Sequence, residues 1–284
     1  MITLTTPHQI QSWRKRLPAR GSIGFVPTMG ALHDGHLSLI KRAKKENALT
    51  VVSLFVNPIQ FGPKEDFARY PRPRRKDTAL LKKTGVDVLF APNTKAMYPN
   101  DVLTSVIVKD LTDTLCGAPS SRGPAHFSGV ATVVAKLFNL VRPTQAYFGL
   151  KDYQQVRIIE QMNEDLNMGI TIIRCPTVRD SDGLARSSRN TLLSPQERKV
   201  APLLYAALQR GRKLLRSPRK MSLREFRHQI KSTLLTIPNV KIDYIELVDP
   251  KTLHKCESPR APALLAAAIR LGTTRLIDNI LVTR

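Results

Sequence analysis

One stretch constrains this chain more than any other: Phe25-Val-Pro-Thr-Met-Gly-Ala-Leu-His-Asp-Gly-His-Leu-Ser-Leu-Ile40. Residues 22–26 are apolar enough for a buried strand, Pro27 and Gly30 break the run, and Leu37, Leu39 and Ile40 resume it at helical spacing after His36. The pattern predicts strand, turn and helix start. His33 and His36 stand three residues apart where the helix opens, so they share a face and lie beside the N–H groups that a first helical turn leaves without partners. A positive dipole end, glycines at 30 and 35 that admit close approach, and two imidazole donors together suit a phosphate.

Further strand–helix units follow. Residues 7–18 read as a short amphipathic helix carrying Trp13, expected to pack at a sheet edge. Residues 49–56 are a continuous β-branched run of the kind buried in parallel sheets; a helix over 73–84 and a strand over 86–91 come next. A helix over 130–141, apolar on most faces, precedes strands at 145–148 and 171–175. From residue 194 the pattern changes to helices over 194–215 and 222–236 and strands over 241–247, 263–269 and 274–282. The expected fold class is α/β, with a Rossmann-like parallel sheet in residues 1–176 and a smaller α+β domain in 177–284 closing over the site.

Composition narrows the functional classes. At 284 residues and 42% hydrophobic, the chain can bury a substantial core. No apolar run approaches a membrane span, and the first residues lack the charged start and apolar centre of a signal peptide, which points to the cytoplasm. Cys116, Cys175 and Cys256 are odd in number, far apart and form no Cys-x-x-Cys pair, which disfavours a disulfide framework or a zinc site. A net charge of +23 favours anionic partners, and residues 197–231 concentrate eleven Lys or Arg against two Glu. Without arrayed aromatics or a helix-turn-helix pattern nearby, nucleic acid is not the expected partner.

Loops after strand C-termini line the ligand crevice of an open parallel sheet. That puts Asn57 and Gln60 in position for a small polar substrate, although Asn57 also suits an Asx turn. Gly149-Leu-Lys-Asp152 opens another helix after a strand: Gly149 admits a ligand, Lys151 is a point charge for phosphate, and Asp152 is either an N-cap or a magnesium ligand. Ser187, Ser188 and Arg189 offer two hydroxyls and a fork of donors, suited to clamping a triphosphate. Lys220-Met221-Ser222 has the look of a lysine-rich phosphate loop, but it falls between helices after the sheet has ended and is set aside.

The His33-x-Gly-His36 pattern after a strand resembles the signature of nucleotidyltransferases and aminoacyl-tRNA synthetases. Taken with Phe55-Val-Asn-Pro-Ile-Gln-Phe-Gly62, Tyr70-Pro-Arg72, His126-Phe-Ser-Gly-Val130, Lys151-Asp-Tyr-Gln-Gln155, Val178-Arg179, Ser187-Ser-Arg-Asn190 and Gly272-Thr-Thr-Arg-Leu-Ile-Asp-Asn279, the chain resembles the pantothenate synthetase family along nearly its whole length. The resemblance implies joining (R)-pantoate to β-alanine with ATP and Mg2+ through an enzyme-bound pantoyl adenylate, in a homodimer. It implies nucleotide contacts from Met29, Gly30, Ala31, Leu32, His33, Asp34, Gly35 and His36, from Gly149, Leu150, Lys151 and Asp152, and from Val178, Arg186, Ser187, Ser188 and Arg189. His33, His36, Lys151 and Arg189 are the implied catalytic set, with His36 as proton donor; Asp152 is the implied metal ligand. Gln60 and Gln155 fall on pantoate, with Asn57, Tyr70 and His126 also at the substrates. Four positions depart from the family's habit: Leu150 replaces Glu, Arg186 replaces Met or Leu, Lys76 replaces an acid, and Arg122 is displaced by one residue. The rival readings are a degenerate relative that binds RNA and an adenylyltransferase for another hydroxy acid.

Overall fold

A computed structural model describes residues 1–18, 21–62, 67–217 and 221–283; Pro63 and Lys220 lie outside the described residues. Six parallel strands build the main sheet: β1 (Ile2–Leu4), β2 (Ile23–Thr28), β3 (Leu49–Leu54), β4 (Val88–Phe90), β5 (Gln145–Gly149) and β6 (Thr171–Cys175), in the order β1-β4-β3-β2-β5-β6. Chain-successive β3 and β4 lie on one side of β2, and β5 and β6 on the other. The reversal of winding therefore falls between β2 and β5, and the crevice beyond their carboxyl ends is where an open α/β sheet binds its ligand.

Helices α1 (Pro7–Lys15), α2 (Asp34–Glu46), α3 (Arg74–Thr84), the short α4 (Thr94–Met97), α5 (Pro124–Val141) and α6 (Tyr153–Asp165) flank this sheet. Strands β2 and β3 are buried almost throughout, and Phe25, Val51 and Phe90 join Val134 and Phe138 of α5 in one core. Trp13 of α1 packs against that core. After the main sheet come α7 (Pro195–Val200), α8 (Leu203–Arg216), α9 (Leu223–Leu234) and an antiparallel sheet β7 (Lys241–Val248), β8 (Ala263–Leu271), β9 (Thr274–Val282).

The second sheet explains why residues 263–269 read as an unbroken apolar run. Leu265, Ala267 and Ile269 pack with Leu208, Phe226 and Ile230 of α8 and α9, whereas Leu264 and Ala266 belong to the core of the main sheet. The alternating faces of β8 are buried in different cores.

Three expectations need correction. Residues 2–4 were not expected to form a strand, yet Ile2, Thr3 and Leu4 pair with Val88, Leu89 and Phe90; three residues are too few for alternation to show. The helix expected over 194–215 is two, because a proline at 202 has no N–H to continue α7. The helix expected from residue 130 starts at Pro124, preceded by Gly123 at φ 82.

Candidate active site

The turn after β2 is shaped before any ligand is considered. Gly30 has φ 86 and Ala31 φ 50, and the buried Asp77 of α3 accepts from Ala31 N (2.8 Å) and Leu32 N (2.9 Å). The Gly30 N–H donates to Thr28 Oγ1. Beyond the turn the two histidines cap α2 reciprocally: His33 Nδ1 accepts from Gly35 N (3.1 Å) and His36 Nδ1 accepts from His33 N (3.3 Å). Two imidazoles thus fill the parts that a hydroxyl and a carboxylate play in a capping box. Their ring centroids are 4.1 Å apart.

This corrects part of the expectation of free amides. The N–H groups of Gly30, Ala31, Leu32, His33 and Gly35 have acceptors inside the protein: the first three hold the turn through Thr28 and Asp77, and those of His33 and Gly35 orient the imidazoles. Burial, with the Lys151 and Arg186 charges, brings the His33 pKa down to about 4. Burial, with His33 and Lys151 beside it, brings His36 to about 3. Both rings are neutral at pH 7, and because each Nδ1 accepts, the ring proton sits on Nε2, where it can be donated.

Both histidines line a cavity of about 710 Å³. The same cavity is lined by Met29 and Gly35, by Gly149, Lys151 and Asp152 after β5, by Val178, Arg186, Ser187, Ser188 and Arg189 after β6, and by Asn57, Gln60, Tyr70, His126 and Gln155. Gly30, Ala31, Leu32, Asp34 and Leu150, expected at the nucleotide, do not line it. Asp34 faces Arg186 as an ion pair (3.0 Å), and Arg186 also meets Asp180 (2.5 Å). The Arg186 departure thereby fastens the loop after β6 to the start of α2.

Two expected substrate residues have their polar atoms occupied by protein. Asn57 Nδ2 donates to Gln60 Oε1 (3.1 Å) and Gly129 O (3.1 Å), and its Oδ1 accepts from Tyr98 (2.9 Å). His126 bonds Gln60 O through Nδ1 (2.7 Å) and Arg122 through Nε2 (3.0 Å), and burial with the Arg122 charge brings its pKa to about 3. Both hold Gln60 in place. Arg122 reaches the cavity despite its one-residue displacement. Tyr70 approaches Ser188 Oγ (3.3 Å), and the Arg189 guanidinium lies 5.8 Å from the Tyr70 ring centroid, joining the two loops over the cavity. Ser187 Oγ accepts from Arg189 N, which starts the 3-10 turn Ser188–Leu192.

Asp152 approaches Lys151 (3.7 Å), and no cluster of three potential metal-ligating side chains occurs among the described residues. Such a donor set would suit a magnesium ion held chiefly by phosphate oxygens and water, with Asp152 as a carboxylate that could join them. The sequence assigned no role to Asp77, to Asn279 or to the Asp278–Arg179 pair (2.5 and 2.9 Å). Their partners are dozens of residues away, so no local spacing reports them.

A sequence profile of the pantoate–beta-alanine ligase family matches residues 2–281. The pantothenate synthetase of Caldicellulosiruptor saccharolyticus is 49% identical over 283 residues, 99% of each chain. The crystal structure of pantothenate synthetase from Thermus thermophilus superposes with a TM-score of 0.92 at 47% identity, covering all of both chains. That of the ligase from Francisella tularensis, complexed with beta-gamma ATP and beta-alanine, gives 0.81 at 39% identity, covering 99% of this chain and 97% of that one. A profile match along almost the entire length, joined by relatives near half identity end to end, means that this chain belongs to the pantoate–beta-alanine ligase family.

Proposed function

We propose that the chain condenses (R)-pantoate with β-alanine at the expense of ATP, through pantoyl adenylate. The observation that carries this reading is the meeting of His33, His36, Lys151 and Arg189, brought from three separate strand-end loops, on one cavity. Attack of the pantoate carboxylate on the α-phosphorus forms an acyl–phosphate bond, breaks the bond to pyrophosphate and builds negative charge on the α-phosphoryl oxygens. Neutral His33 and His36 donate from Nε2, and Lys151 and Arg189 supply charge, where that negative charge develops. Magnesium, held by the phosphates and Asp152, would neutralise part of the triphosphate charge. The β-alanine amine then attacks the acyl carbon and AMP leaves with the bonding pair, so no covalent enzyme nucleophile is required.

Gln60, fixed by Asn57 and His126, and Gln155, whose side chain has no hydrogen-bond partner in the protein among the described residues, supply amides for the pantoate hydroxyls. Residues 1–176 carry the nucleotide and pantoate, and 177–284 close over them through the 186–189 loop. The active form is a homodimer. Supporting this, residues 101–108 join no helix or strand and display Val102, Leu103 (94% exposed) and Ile107 (63%), apolar surface that a second copy would cover. Among the described residues no helix is long and apolar enough to cross a membrane. The test is AMP formation that requires both pantoate and β-alanine; a folded protein that forms none contradicts the reading.

A further inference from the structure

The turn that carries Lys151 has little holding it from its own sequence. Gly149 has no side chain to cap the 3-10 turn Leu150–Asp152, and Asp152, at the N-cap of α6, makes no capping hydrogen bond. Its carboxylate reaches only 3.7 Å from the Lys151 ammonium and is 46% exposed, too loose to fix that side chain. The carbonyls of Leu150 and Lys151 instead accept from one side-chain amide of the other sheet, Asn279 Nδ2 of β9, at 3.0 and 2.8 Å.

Asn279 is itself held. Its backbone N–H donates to Asp278 Oδ1 (2.8 Å), and Asp278, 3% exposed, takes Arg179 in a two-pronged pair at 2.5 and 2.9 Å. The Arg179 guanidinium lies 3.6 Å over the Tyr205 ring of α8 and donates to Gly183 O. A continuous strut therefore runs from α8 through Arg179, Asp278 and Asn279 to the lysine turn. The Leu150 side chain packs against the main core, so the turn is pinned by an apolar anchor on one side and this amide on the other.

Resting on the reading above, in which Lys151 meets the phosphates, we propose that Asn279 is a positioning residue for Lys151, by which the second sheet sets the height of the ammonium in the cavity. Asn279 lines the same cavity, but both hydrogens of its amide are donated to the Leu150 and Lys151 carbonyls, so it acts through Lys151. Its loss lets the turn relax, and a sub-ångström retreat of the ammonium weakens its contact with developing charge.

The test is a double-mutant cycle over Asn279→Ala and Lys151→Ala, read by pantoate-dependent ATP–pyrophosphate exchange and by ATP affinity from calorimetry, with melting temperatures for all four proteins. Asn279→Ala is expected to slow exchange about 10–100-fold and to weaken ATP binding, with a melting temperature within a few degrees of the parent. In the Lys151→Ala background the same substitution is expected to change neither readout further. Asn279→Ser, which keeps one donor, is expected to fall between. Full activity in folded Asn279→Ala, or an equal loss with and without Lys151, overturns the proposal. Unfolding of both Asn279 variants overturns it too, since Asn279 then serves the fold. A parent without exchange contradicts the proposed reaction instead, and the ATP-affinity cycle still decides the positioning role.

Discussion

His33, His36 and His126 are neutral because burial withholds the water that a charged ring needs. In the unfolded chain each returns to about 6.5, so unfolding takes up protons in the acid range. The folded pKa values are depressed. The stabilisation is therefore complete above about pH 6.5 and is lost as pH falls towards about 4 and then 3. Urea midpoints are expected to drop between pH 7.5 and 5, and to drop less in His126→Asn. A different result belongs to substrate binding: because His126 holds the Gln60 carbonyl and Arg122, His126→Ala is expected to raise the pantoate KM about tenfold while leaving the ATP KM near the parent value. Initial-rate kinetics with each substrate varied separates the two. The sequence placed His126 at the substrates on family likeness, and its actual task was illegible there, since both ring nitrogens are occupied by groups that only the folded chain brings near.

At the scale of elements, the opening of α2 serves structure and chemistry with the same atoms. Spacing of i and i+3 placed both imidazoles on one face, and that much was readable; their reciprocal capping was not, because Nδ1 of one ring must meet the other's backbone. Gly35 is the position where the two demands collide. A Cβ there would lie 2.8 Å from His33 Cε1, while alanine in a helix is favoured over glycine by about 0.5–1 kcal/mol. Because displacing the His33 cap costs about as much as the alanine gains, Gly35→Ala is expected to leave the melting temperature within a few degrees of the parent while lowering adenylation at least tenfold, measured by calorimetry and single-turnover assay. The turn leading into this helix was illegible for a comparable reason: Asp77, on a helix more than forty positions on, takes the N–H groups of Ala31 and Leu32, and a carboxylate so far along the chain leaves no mark on the local pattern.

Over the whole molecule, the parallel sheet and the three strands of the smaller one were legible, though not their antiparallel pairing, since runs of buried β-branched residues and the change of pattern after residue 194 are long signals. The short edge strand β1 and the strut from α8 to Lys151 were not, each depending on pairings between distant segments. The exposed apolar residues 102, 103 and 107 belong to this scale as well. Analytical ultracentrifugation is expected to give twice the monomer mass for the parent, and Leu103→Glu is expected to shift it towards the monomer. A monomeric parent at micromolar concentration contradicts the assembly.

If imidazoles, ammonium and guanidinium converge where the α-phosphate reacts, adenylation depends on each of them. ATP–pyrophosphate exchange measured without β-alanine reads that half-reaction alone, comparing the parent with His36→Ala. Loss of one such preorganised donor costs roughly 10²–10³ in rate. Exchange is expected to require pantoate and to fall by at least that factor in a folded His36→Ala; exchange without pantoate, or exchange undiminished in the variant, rules the convergence out.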